Sequence, residues 1–178
     1  MSDLTDLRYP IGRFAPPATY TPEARQQFLA ELAACPDELR RATAGLATAQ
    51  LDTPYRESGW TVRQVVHHLP DSHMNAYVRH KLAATEDQPA IKLYKEALWA
   101  EHIDARTMPI EPSLQIIGGS HARWVVLLRN MSTSDFVCSF FHPEQQREIS
   151  LAEALELYVW HSGHHLAHIT ELKKREGW

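Results

Sequence analysis

A chain of 178 residues that is 44% apolar and 22% charged has the length and make-up of one globular domain with room for a substantial core. Its net charge of −4, with no run of Lys and Arg beyond the terminal Lys173-Lys174-Arg175, argues against a nucleic-acid partner and offers no polybasic membrane anchor. The opening Met-Ser-Asp-Leu-Thr-Asp lacks the basic and apolar regions of a signal peptide and no stretch is apolar for long enough to span a bilayer, so the expected location is the cytoplasm.

Residues 1–20 carry Pro10, Pro16 and Pro17 in an apolar setting, which predicts an extended arm lying on the domain. Thr21-Pro22-Glu23 starts a helix, with Thr as cap and Pro in the first turn; Phe28, Leu29, Leu32 and Leu39 supply its apolar stripe to about Leu46, with Pro36 bending or breaking the run. Thr61 followed three residues later by Gln64 is a capping-box pattern ahead of Val62, Val65, Val66, Leu69 and Ala76, so a second helix runs from Thr61 to about Ala84. Residues 85–111 hold two prolines and one short helical patch, Leu93 to Trp99, and read as a crossover. A third helix follows from about Pro112 to Met131, its stripe including Leu114, Ile117, His121, Trp124, Val125 and Leu128. Residues 132–149 suggest an irregular hairpin, and the last helix runs from Ser150, capped against Glu153, to about Glu176. Four long helices with one long crossover predict an all-α four-helix bundle in a single domain. Cys35 and Cys138, far apart and without a C-x-x-C partner, read as free thiols.

Seven of the 11 histidines fall in two helical windows, His67-His68-x₄-His73 and His161-x₂-His164-His165-x₂-His168. Imidazole is the commonest protein metal ligand, and two histidines four apart on a helix can reach one ion at roughly 2.0–2.1 Å. At about 100° per residue, His73 falls within the core stripe of the second helix, His68 at its edge and His67 mostly away. On the last helix His161, His165 and His168 continue the Leu151/Leu155/Tyr158 line, while His164 flanks it. The favoured ligand set is therefore His68, His161 and His165. Three histidines leave coordination positions open to water or substrate, as in catalytic zinc sites.

The motifs Thr53-Pro54-Tyr55-Arg56, Gly59-Trp60-Thr61-Val62, His67-His68-Leu69-x-Asp71-Ser72-His73-Met74-Asn75, His121-Ala122-Arg123-Trp124 and Trp160-His161-x₂-His164-His165 together resemble the YfiT-like branch of the DinB-like family, as does the opening Tyr9-Pro10-Ile11-Gly12. The resemblance implies a four-helix bundle, often a homodimer, with a divalent ion such as nickel or zinc on His68, His161 and His165. The chain departs from the family pattern at Pro70, where Ala is usual; proline removes a backbone donor and frees the carbonyl of Val66, which predicts a kink beside His68 and makes His67 the fallback ligand.

An ion held by three neutral imidazoles keeps its charge and can lower the pKa of bound water to about 7, or bind a thiolate. Ser162 after His161 excludes the His-Glu-x-x-His arrangement with its built-in base. Asp71, His73 and Asn75 are the nearest polar candidates, of which Asp71 and His73 are the expected proton-transfer residues; Arg56 and Arg123 are candidates for holding an anionic substrate. Trp60, Trp124 and Trp160 read as core residues first and pocket lining second. The leading expectation is a metal-dependent hydrolase acting on a small molecule. The resemblance also implies transfer of a low-molecular-weight thiol such as bacillithiol, which would be a cosubstrate at the same metal. The non-enzymatic alternative is a metal-stapled binding module, which predicts a closed site.

Overall fold

The computed structural model describes residues 7–17 and 19–178. Three of its four long helices begin where side-chain capping places them. The Thr21 hydroxyl accepts from the backbone N–H of Ala24 at 3.2 Å and opens α1 (Pro22–Thr43), which continues through Pro36 and stops three residues short of the expected Leu46. After a short α2 (Thr48–Leu51), the Thr61 hydroxyl accepts from Gln64 N–H at 3.1 Å while the Gln64 carboxamide accepts from Thr61 N–H at 2.9 Å, completing the box at the head of α3 (Val62–Ala83). The crossover contains α4 (Glu96–Trp99), inside the predicted patch, and an unexpected α5 (Ile103–Thr107). α6 spans Glu111–Arg129. The hairpin follows: β1 (Ser139–His142) pairs antiparallel with β2 (Arg147–Ser150), Phe140 opposite Ile149. The Ser150 hydroxyl then accepts from Glu153 N–H at 3.2 Å, and α7 (Leu151–Glu176) runs to Gly177, whose φ of +73° ends it in the left-handed region.

Helices α1 and α3 each pack against both α6 and α7, forming the four-helix bundle. Contacts give the directions. His67 meets Ser113, His73 meets His121 and His80 meets Trp124, so α3 and α6 are parallel neighbours. His73 meets His161 whereas Arg79 meets Tyr158, so α3 and α7 are antiparallel. Parallel neighbours need a connection that returns the length of a helix, about 33 Å for the 22 residues of α3. Residues 84–110 make that return and so cover one side of α3. Of the arm, residues 7–17 and 19–20 lack helix and strand and pack on α7, with Phe14 and Trp160 rings 5.9 Å apart; the rest of the predicted arm lies outside the described residues.

The buried apolar side chains form two clusters stacked along the bundle axis. One contains Leu32, Ala76, Trp124, Leu128 and Leu155; the other contains Leu39, Val65, Val66, Leu69, Ile117, Ile169 and Leu172. On each long helix the boundary falls at the same level, and the residues there on α3, α6 and α7 are histidines: His73, His121, and His161 with His165. A polar layer thus crosses the middle of an apolar bundle, and buried polar groups in that position require partners. Cys35 is buried and Cys138 exposed, neither in a disulfide. No helix among the described residues is long and apolar enough to cross a membrane.

Candidate metal centre

His68 projects from α3 toward α7, where His161 and His165 stand one turn apart. One ring nitrogen from each lies within 4.8 Å of the others, and the Nε2 atoms of His68 and His161 are 3.3 Å apart. Two nitrogens held about 2.05 Å from one ion at the tetrahedral angle are about 3.3–3.4 Å apart, so this pair already has the spacing of two ligands. His165 has a buried Nδ1 with no hydrogen-bond partner among the described residues. Burial, followed by the neighbouring His164, lowers the His68 pKa to about 4; burial also places His161 and His165 well below the ordinary histidine value. Neutral imidazole is the ligating form. Donor type, spacing and protonation therefore fit a divalent cation at His68, His161 and His165.

A second grouping, His164, His165 and His168, also brings ring nitrogens within 4.8 Å, but all three come from α7 and it shares His165 with the first. There, His168 Nε2 donates to the backbone carbonyl of Arg8 at 3.2 Å, and His164 stacks on Trp160 with ring centroids 4.7 Å apart.

A cavity of about 580 Å³ opens onto these histidines. Its walls include Trp60, Ser72, Tyr158, Arg56, Arg79 and Tyr94. The Trp60 ring lies 4.8 Å from that of His68 and 6.2 Å from that of His165, so this tryptophan lines the site, while Trp124 is wholly buried in the core. Arg79 donates to the Tyr158 hydroxyl at 2.9 Å, and burial raises the pKa of that phenol. Neither Arg56 nor Arg79 pairs with a carboxylate among the described residues, and each has a buried Nε without a partner there. Arg123, the other arginine considered for an anionic substrate, instead lies over the Tyr77 ring at 5.6 Å, away from this cavity.

The candidate proton-transfer residues stand elsewhere. Asp71 is half-buried on α3 and absent from the cavity wall; burial and then Asp104 raise its pKa to about 6. His73 has no exposed surface and sits behind His161, its Nε2 3.1 Å from His161 Nδ1 and its Nδ1 2.7 Å from His121 Nε2. The Asn75 carboxamide donates to the Asp71 carbonyl at 2.8 Å. His67 is turned away from the centre, 2.7 Å from the Ser113 hydroxyl, and the helix through Pro70 leaves His68 directed at α7. Sequence periodicity missed Arg79, Tyr94, His142, Glu96 and Glu144, which also line the cavity. Four of these lie on the crossover or the hairpin, where no periodicity links them to the histidines.

The comparisons agree with this architecture. A model of the DinB superfamily matches residues 31–169. A Bacillus pumilus protein named "Putative metal-dependent hydrolase" is 50% identical over 98% of this chain and 99% of its own. The Bacillus subtilis protein named "Putative metal-dependent hydrolase YfiT" is 47% identical over 97% of each chain. A solved structure of Bacillus subtilis YfiT, described as "a probable metal-dependent hydrolase with an unusual four-helix bundle topology", superposes with a TM-score of 0.95 at 48% identity, covering 97% of this chain and 98% of that one. With the family model spanning most of its length and relatives near half identity end to end, the chain belongs to the DinB superfamily.

Proposed function

We propose that the protein is a metal-dependent hydrolase of a small anionic substrate, with zinc or nickel held by His68, His161 and His165. The observation that carries this reading is the convergence of three imidazoles, those of His68 and His165 buried and that of His161 partly so, drawn from two helices, on the wall of a cavity of about 580 Å³. Names carried by the full-length relatives support hydrolysis as the reaction class. A divalent ion there supplies Lewis acidity, polarising a substrate oxygen and lowering the pKa of water bound beside it.

The chain's own residues do the rest. Burial keeps the three imidazoles neutral, so the cation's charge is retained. Trp60 packs against His68 and His165 and keeps bulk water from that side. Arg56 and Arg79, unmatched by a carboxylate, attract and orient an anionic group. The Tyr158 oxygen accepts from Arg79, which leaves its own proton free for a substrate oxygen that gains charge, and its raised pKa keeps that proton in place at neutral pH.

A second reading is supported by the position of Asp71 and His73 off the cavity wall. Transfer of a low-molecular-weight thiol to an electrophile requires no protein base once the thiol binds ionised. Metal analysis followed by X-ray absorption with and without a small thiol separates the two. Three imidazoles and a shell indifferent to thiol, with ester or amide hydrolysis lost in His161→Ala, is the expected result for the hydrolase. Sulfur entering the shell, with thiol-dependent consumption of an electrophile, would replace it by the transferase. A shell closed to all added ligands would overturn both.

A further inference from the structure

Pro36 has no N–H, so the carbonyl of Leu32 one turn earlier in α1 lacks its helical donor. That carbonyl accepts from His121 Nδ1 on α6 at 2.7 Å. A carbonyl oxygen only accepts, so the proton of His121 is on Nδ1 and, in a neutral ring, its Nε2 is bare. His73 Nδ1 lies 2.7 Å from that nitrogen and must be the donor, which leaves His73 Nε2 bare in turn. His161 Nδ1 lies 3.1 Å from His73 Nε2 and must donate to it. For neutral rings, one proton arrangement satisfies all three contacts. It leaves His161 Nε2 as a lone pair 3.3 Å from His68 Nε2.

We propose that His121 and His73 form a proton-ordered relay that carries the acceptor character of the Leu32 carbonyl to His161 and locks it in the tautomer with Nε2 free for metal. This rests on the metal-binding reading above. His73 and His121 are positioning residues, exposed by 0% and 1% and without access to substrate. A ligating histidine ordinarily donates its second N–H directly to a carboxylate, carbonyl or water. Here a carbonyl serves through two intervening imidazoles, and no negative charge is brought near the cation.

The test uses the full-length metal-free protein with ¹⁵N-labelled histidine. Long-range proton–nitrogen spectra should show His121, His73 and His161 each protonated on Nδ1. Zinc affinity is then measured by competition with a chromophoric chelator. In His121→Leu the His73 Nδ1–H loses its acceptor, so His73 can reverse and donate to His161; the His161 spectrum should become mixed and zinc binding weaken about 10- to 100-fold at unchanged stoichiometry. In His121→Gln the carboxamide N–H can donate to Leu32 and its oxygen accept from His73, so affinity should return to within about threefold of the parent. Wild-type His161 protonated on Nε2, or His121→Leu binding zinc as tightly as the parent, overturns the relay. If that variant does not fold, the wild-type spectrum decides. A wild-type chain that takes up no zinc overturns the metal reading, while the spectra still decide the tautomer.

Discussion

His67 and His68 are adjacent in sequence and serve different faces of α3. One residue of helix is a rotation of about 100°, which sends His68 toward α7 and His67 toward the Ser113 hydroxyl on α6. Their replacement should separate accordingly. His68→Ala is expected to abolish stoichiometric zinc binding and leave the helices folded. His67→Ala should keep the zinc but lose about 1–3 kcal/mol, because the buried Ser113 hydroxyl is left unpaired. Zinc titration and urea denaturation of the two variants check this, and the reverse pattern would place the centre one residue away. The angular pattern of α3 was sufficient to prefer His68, since the apolar stripe beside it is unambiguous. It was silent on what covers His67, because Ser113 and Met108 reach it from elements far along the chain.

At the scale of elements, the legible features were those decided by neighbours a few residues away. Thr21, Thr61 with Gln64, and Ser150 fixed three helix starts because capping is a local exchange of hydrogen bonds. The crossover was legible as a connection but not as a wall. Its Tyr94 and Glu96 reach the cavity only because residues 84–110 must return along α3 to start a parallel neighbour. Gln64 joins these two kinds of information. Its oxygen caps α3 while its Nε2 donates to the Ala100 carbonyl at 2.8 Å, so one side chain fixes the helix start and pins the crossover. Gln64→Ala should therefore cost more than a cap alone, about 2–3 kcal/mol against about 1. It should also raise amide exchange around Ala100, measurable by hydrogen–deuterium exchange; protection unchanged there would show that other contacts hold the crossover.

For the molecule as a whole, the mid-level histidine layer and the two apolar clusters set the response to acid. His80, on the same side of the core against Trp124, offers a probe away from the ligands: it is fully buried, and burial lowers its pKa from 6.5 to about 4. The unfolded chain takes up this proton near pH 6.5 whereas the folded chain resists until about pH 4, so the stabilisation is intact above 6.5 and is lost as pH falls through that window. The loss from this one group is about 2 kcal/mol by pH 5. Urea denaturation of metal-free protein at pH 7 and pH 5 should show His80→Gln losing less stability than the parent by about that amount. Equal losses would mean that His80 is charged or solvated in the folded state.

The relay also joins one group from each of the four long helices: the Leu32 carbonyl of α1, His121 of α6, His73 of α3 and His161 of α7. Its order exists only when all four are docked. A chain in which α3 and α7 had paired without α1 would present the same three imidazoles but lack the carbonyl that sets their protons. On the proposed relay, metal affinity would therefore report whether the whole bundle has assembled. An ion would be held less tightly by a chain in which α1 had not docked than by the complete four-helix bundle.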